Sequence, residues 1–262
     1  MKIVKLLVVA LLISSPAFAE TGFLDRSITF KGETSHYQVY VPADYTTAKL
    51  WPVIVYLHGD GRQGNDGLRP TMSGLADSIR QNRSLFPAIA IFPQAKIATR
   101  WLFPEMEELV IAELDRTITE FHGDPYRIYM TGFSMGATGA YRIAFRWPDK
   151  FAAVVAIAGR VEPRSTLAPE VLAIDRRANP FVAEPDPFAS LALRIKDIPM
   201  WIFHGDKDET VPVEQSRRLV AALKKAGADV RYTEYPGADH VGGVQKAFAE
   251  TDMVKWLFKQ HQ

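Results

Sequence analysis

Tyr129-Met130-Thr131-Gly132-Phe133-Ser134-Met135-Gly136 decides how the rest of this chain is read. An apolar strand over residues 127–132 breaks into a helix over 135–146 through the pattern Gly-x-Ser-x-Gly. So tight a strand-to-helix turn forces the serine into a strained backbone conformation. The residues two before and two after it must then be almost free of side chain, as Gly132 and Gly136 are. The turn lifts the hydroxyl clear of the sheet. It also sets Ser134 at a helix N-terminus, where unbonded N–H groups and the helix dipole favour the negative charge of acyl transfer. An ordinary turn is the competing reading, but it needs neither the strand before nor the helix after.

Downstream, residues 200–203 form a short apolar strand that runs into His204-Gly205-Asp206-Lys207-Asp208-Glu209-Thr210-Val211-Pro212. A helix over 213–226 and a last strand over 230–235 follow, then the loop Pro236-Gly237-Ala238-Asp239-His240. Parallel sheets build their sites at the carboxyl ends of strands, and that edge receives Ser134, one of two aspartates and His240, in that order. A histidine so placed is a general base for the serine, and an aspartate can orient it. Both Asp206 and Asp208 follow the same strand, and both also suit a turn.

Upstream, residues 27–30 and 36–41 alternate as an edge hairpin, and residues 51–57 are a strand-length apolar run, as for a strand covered on both faces. The run opens into His58-Gly59-Asp60-Gly61 and a glycine-rich loop that continues to Gly67. This loop lacks the lysine and the serine or threonine of a nucleotide-binding loop. It is either a plain surface loop or an oxyanion loop, with the Asp60 N–H facing Ser134 and His58 as a brace. A helix over 72–82, a strand over 88–92, a helix over 107–121 and a strand over 151–157 complete the alternation. It predicts a mostly parallel sheet with helices on both faces. Trp101 and Phe103 lie between, as the floor of a substrate pocket or as core. Over 159–199 the pattern weakens under Pro163, Pro169, Pro180, Pro185 and Pro187, and the stretch reads as a long loop acting as a lid or insertion.

With 262 residues and 47% hydrophobic content, the chain has room for one large α/β domain, expected over 20–262. The net charge of +1, without a basic stretch interleaved with aromatics, gives no reason to expect nucleic acid as a partner. Residues 1–19 have the form of a secretory signal: Lys2 and Lys5, an apolar run over 6–13, and Ala17-Phe18-Ala19 as a cleavage site. That run is far below the ~20 residues of a membrane span. The expectation is therefore an exported protein, periplasmic or extracellular, without stable membrane insertion. The chain has no cysteine, which excludes disulfides and metal–thiolate sites.

Four motifs carry a family resemblance: Leu57-His58-Gly59-x-Gly61, the serine turn through Ala137, Phe203-His204-Gly205-x-x-Asp208-x-x-Val211-Pro212, and Tyr235-Pro236-Gly237-x-x-His240. From about Trp51 to its end the chain resembles α/β-hydrolases of the esterase group also labelled predicted peptidases. These are related to phospholipase/carboxylesterase and feruloyl esterase-like enzymes. The resemblance implies an α/β-hydrolase fold and a serine hydrolase cleaving carboxylic esters, small or polymer-linked, through an acyl-enzyme, with neither metal nor cofactor. It makes Ser134 the nucleophile, His240 the base and Asp208 the acid, and gives the oxyanion to the backbone N–H groups of Asp60 and Met135. A serine peptidase shares all of these groups, and a catalytically silent binding protein on the same scaffold is the reading from another class. The chain departs from the resemblance in the Val-Gly-Gly after His240 and in the length of 159–199.

Overall fold

The computed structural model describes residues 20–97, 99–163 and 167–262. The secretory signal expected over 1–19 lies outside the described residues. Among the described residues eight strands form one sheet: β1 (Gly22–Phe30), β2 (Glu33–Val41), β3 (Trp51–Leu57), β4 (Ile89–Phe92), β5 (Gly123–Phe133), β6 (Ala153–Ile157), β7 (Met200–Gly205) and β8 (Val230–Tyr235). Their spatial order is β1-β2-β4-β3-β5-β6-β7-β8. The β1–β2 hairpin turns through Lys31 and Gly32, both at positive φ (50° and 86°), as a two-residue turn matched to strand twist requires. β2 also runs antiparallel to β4, and from β4 to β8 every neighbouring pair is parallel.

Among the described residues eight α-helices accompany the sheet: α1 (Leu75–Gln81), α2 (Pro104–Glu120), α3 (Met135–Arg146), α4 (Pro169–Ala178), α5 (Pro187–Ile195), α6 (Glu214–Lys225), α7 (His240–Ala249) and α8 (Thr251–Leu257). None among the described residues is long and apolar enough to cross a membrane. Strand alternation divides the core in two. Val53, Val55 and Leu57 of β3 pack with side chains of α2, α3, α5 and α6, while Ile54 and Tyr56 face those of α1, α7 and α8. Because β3 is covered on both sides, all seven of its residues are buried, which is why its sequence is apolar without alternation.

The stretch 159–199 departs from the sequence reading. It is mostly helical, holding α4, α5 and a 3-10 turn at Pro180–Ala183. Pro169, Pro180 and Pro187 open these turns instead of breaking them, since a first-turn position has no intrahelical N–H bond to lose. Phe181, Phe188, Leu191 and Ile195 join the larger core. Asp175 of α4 grips Arg142 of α3 in a bidentate pair, with Nε–Oδ1 2.7 Å and Nη2–Oδ2 2.6 Å, and both side chains are fully buried. The segment is thus pinned to the helix that begins at Ser134.

Candidate active site

The serine turn has the strain its sequence predicts. Ser134 sits at φ 55°, a region that L-residues seldom enter. Its N–H donates to the Ile157 carbonyl at 2.8 Å, and its own carbonyl accepts from the Thr138 N–H at 3.0 Å. A Cβ on Gly136 would come within 1.9 Å of the Leu57 carbonyl oxygen. One on Gly132 would lie 2.5 Å from the Gly136 carbonyl. No larger residue fits at either place, so helix α3 can start this close to β3 and β5 only through glycine.

Three sheet-edge residues converge on one line of hydrogen bonds. His240 Nε2 lies 2.9 Å from Ser134 Oγ, and His240 Nδ1 lies 2.6 Å from Asp208 Oδ2. With the proton on Nδ1 donated to the carboxylate, Nε2 is left to accept the serine hydroxyl proton. The sequence placed His240 at the end of a loop; it is the first residue of α7, whose start is fixed by Asp239 accepting the Gly242 N–H at 2.7 Å. The Phe133 ring packs 4.7 Å from the His240 ring.

Of the two candidate aspartates, only Asp208 reaches the histidine. Its Oδ1 accepts the N–H groups of Thr210 (2.9 Å) and Val211 (2.8 Å). Burial pushes the Asp208 carboxyl up, but donors from His204, His240 and the Val211 N–H outweigh it and hold the group well below the usual carboxylate range. Asp206 Oδ1 instead accepts the Gly237 N–H at 2.6 Å and so closes the turn after β8.

The loop after β3 lies on the other side of Ser134. Asp60 and Met135 both adjoin it: Asp60 borders a cleft of about 400 Å³ together with Gly59, Phe133 and His240, and Met135 is the first residue of α3. The Met135 N–H is one of the first-turn donors that a helix cannot satisfy internally. Gln63 ties the two residues, since its Nε2 donates to Asp60 Oδ1 and approaches Met135 Sδ at 3.7 Å. His58 is buried beneath the loop, donating from Nδ1 to the Gly59 carbonyl (2.7 Å) and accepting the Ala95 N–H at Nε2 (3.1 Å). Burial is the main cause that lowers the His58 pKa to about 4.

Trp101 and Phe103 do not floor the pocket. Trp101 is fully buried, donates from Nε1 to the His58 carbonyl (2.9 Å) and fills the space that a side chain at Gly139 would need. Phe103 packs half-buried against the core. The 3-10 turn Arg100–Leu102 sends Trp101 inward, and it is Arg100 and Leu102 that line a small cavity beside Ser134, together with Thr138, Arg160 and Leu167. Sequence reasoning also passed over His204. It is fully buried, with Nε2 2.9 Å from the Val211 carbonyl and 3.2 Å from Asp208 Oδ2. The available signal was the tripeptide His-Gly-Asp at the carboxyl end of an apolar strand, present at 58–60 and again at 204–206; the third copy, His122-Gly123-Asp124, opens β5 instead and leaves His122 exposed.

The model of the prolyl oligopeptidase family matches residues 107–262. The chain is 30% identical over 69 residues to the uncharacterized peptidase YuxL of Bacillus subtilis (strain 168), a match covering 25% of this chain and 10% of that protein. Among solved structures, a thermostable esterase superposes with a TM-score of 0.74 at 29% identity, covering 92% of this chain and 63% of that one. An S-formylglutathione hydrolase from Agrobacterium tumefaciens shares the fold at a TM-score of 0.69 and 22% identity, covering 93% of this chain and 98% of that one. The chain thus spans less than two-thirds of the Bacillus peptidase and of the thermostable esterase. It has the α/β-hydrolase fold and belongs to the prolyl oligopeptidase family, among serine hydrolases of the esterase and peptidase kind.

Proposed function

We propose that the protein hydrolyses carboxylic esters through Ser134, His240 and Asp208. The observation that carries this reading is the continuous relay from Asp208 Oδ2 through His240 to Ser134 Oγ, at 2.6 and 2.9 Å. As Ser134 Oγ attacks the ester carbonyl carbon, its proton passes to His240 Nε2, and Asp208 stabilises the imidazolium so formed. The N–H groups of Asp60 and Met135 receive the developing oxyanion. Collapse of the tetrahedral intermediate breaks the bond to the alcohol, which leaves with the proton from His240. Water, deprotonated by the same nitrogen, then releases the acid from Ser134. The base works only when neutral, so protonation of the His240 imidazole stops the reaction.

The ester preference draws on the likeness to the thermostable esterase, at 29% identity over 92% of this chain. A peptidase is the second reading, favoured by the family match and by the Bacillus peptidase. Substrate is a small or polymer-linked ester, and the segment 159–199 is proposed as a wall of the acyl site, since Arg160, Glu162, Pro163 and Leu167 border the cavity at Ser134. Export rests on the signal-like sequence over 1–19. A panel of p-nitrophenyl esters run beside an aminoacyl anilide separates the two activities. A fluorophosphonate probe is expected to label Ser134, and Ser134→Ala to lower kcat by on the order of 10⁴. Labelling elsewhere, or a fully active alanine variant, would sink the catalytic reading, and turnover of the anilide alone would replace esterase by peptidase.

A further inference from the structure

Asp208 must present one oxygen to His240 at a fixed angle, yet a carboxylate on a loop rotates freely unless its other bonding directions are taken. Two are taken by the Thr210 and Val211 N–H groups at Oδ1. That leaves Oδ2, the oxygen used by His240, and a second imidazole stands beside it: His204 Nε2 lies 3.2 Å away. The partners of His204 determine its tautomer. Nε2 faces only acceptors, the Val211 carbonyl at 2.9 Å and the Asp208 carboxylate, so it carries the hydrogen; Nδ1 accepts from the Ser216 hydroxyl at 2.7 Å. The ring is fully buried and bonded at both nitrogens, so it cannot turn away.

Resting on the catalytic reading above, we infer that His204 is a positioning residue for the reaction: its Nε2–H is the second donor to Asp208 Oδ2 and fixes the carboxylate for His240. The bonds close a small circuit. His204 Nε2–H is shared between the Val211 carbonyl and Asp208 Oδ2, and the Val211 N–H returns to Asp208 Oδ1. Residues 208–211 are thereby locked on both sides of the peptide chain, and α6 contributes through Ser216. His204 touches neither Ser134 nor the reacting atoms, so it acts only through the acid. Removing its donor leaves the carboxylate held at Oδ1 alone, so Oδ2 can swing about that anchor and spread the orientations of His240, while the surface that binds substrate stays as it was.

The test uses the full chain with His204→Leu, His204→Gln, Ser216→Ala and Asp208→Asn. Glutamine places an amide N–H near the position of Nε2; leucine has no donor. His204→Leu is expected to lower kcat by on the order of 10- to 100-fold with KM unchanged, the cost of a slightly misplaced catalytic group. His204→Gln should recover most of kcat. Ser216→Ala should lower the melting temperature more than kcat. The far-downfield proton resonance of the His240–Asp208 hydrogen bond should shift or broaden in the leucine variant and return with glutamine. If the leucine variant does not fold, His204→Asn replaces it, since its shorter amide cannot reach Asp208. The inference is overturned by a folded leucine or asparagine variant with wild-type kcat, by equal losses in the Gln and Leu variants, or by an effect confined to KM. Failure of the catalytic reading looks different, because Asp208→Asn would then also keep its activity.

Discussion

The strand ends Leu57-His58-Gly59-Asp60 and Phe203-His204-Gly205-Asp206 repeat one tripeptide on either side of the strand that delivers Ser134. In both, the histidine is buried and bonded at both ring nitrogens, but the two rings are used in opposite senses. His58 carries its hydrogen on Nδ1 and serves only backbone, holding the Gly59 carbonyl and the Ala95 N–H. His204 carries its hydrogen on Nε2, gives it to the Val211 carbonyl at 2.9 Å, and stands 3.2 Å from the carboxylate of Asp208. The tautomer follows from whatever polar group each strand end must satisfy once water is excluded. At the end of a buried strand the tripeptide places its histidine as a brace, whereas in His122-Gly123-Asp124, which opens β5, the histidine stays exposed; after β3 and β7 the next few residues decide what is braced, a loop backbone in one case and a carboxylate in the other.

The sharpest way to break this comparison is at the carboxylate. Asp208→Asn keeps the shape but removes the charge that holds His240 in its working tautomer, and kcat is expected to fall by on the order of 10⁴ with little change in the urea midpoint. Burial of an acid is not by itself the reason. Asp175 is equally buried, but its partner is Arg142 and its work is structural. Asp175→Ala strands a guanidinium in the core, and unfolding free energy should drop by about 3–5 kcal/mol. Denaturant melts and kinetics on both variants sort the two acids; a large kcat loss at unchanged stability in the Asp175 variant would put α4 into the catalytic machinery.

The His58 side of the comparison is read through pH. Its pKa falls from 6.5 in the unfolded chain to about 4 in the fold, mainly through burial. Between those values the unfolded chain binds a proton that the folded one does not, so stability is fully present above pH 6.5 and is lost as pH falls toward 4. The loss amounts to about 3 kcal/mol at the acid end. His58→Gln is less stable than wild type at neutral pH, and the gap should narrow by that amount at pH 4. Parallel stability curves for the two proteins would show that His58 does not titrate as its burial requires.

Much of this was legible in the sequence, and the exceptions have physical causes. The strands β3 and β8 and helix α3 match their sequence readings residue for residue: β3 is an apolar run closed by His58-Gly59, β8 is rich in β-branched and aromatic residues and stops at Pro236-Gly237, and α3 runs from the serine turn to Trp147-Pro148. Ser134 and His240 were found because strand ends announce themselves; the end of β7 left Asp206 and Asp208 both open and the family resemblance chose Asp208, and the structure brings Ser134, Asp208 and His240 together. The stretch 159–199 was misread since its prolines start helical turns, and since Asp175, a charge, sits on the buried side of α4 where periodicity looks for an apolar residue. Helices α7 and α8 went unseen beyond the last strand. Gly242 and Gly243 look like a loop, yet Gly243 lets α7 approach the backbone of Gly205, where a Cβ would already stand 3.2 Å from its nitrogen. For Trp101 pocket and core both stayed open because nothing local tells which side of a 3-10 turn faces the core.

The smallest expected effect belongs to the last residue of the tripeptide at the end of β7. Asp206 lies two positions from Asp208 and shares its charge, so proximity alone would give it a share of the triad. Its carboxylate is occupied elsewhere: Oδ1 accepts the N–H of Gly237, a turn residue at φ 71°, and ties the end of β7 to the turn that leads toward His240. Asp206→Ala removes one hydrogen bond whose donor is solvent-exposed and can turn to water, so the loss should be about 1 kcal/mol of stability. The Asp208–His240 bond does not involve this side chain, and Asp239 still caps α7, so His240 keeps its position. Measured with the same ester at saturating and limiting concentrations, kcat and KM should both match wild type while the urea midpoint falls slightly. A kcat loss approaching that of Asp208→Asn would mean that the turn, and not the second histidine, sets the geometry of the acid, and the contrast between the two strand ends would have to be redrawn around Gly237.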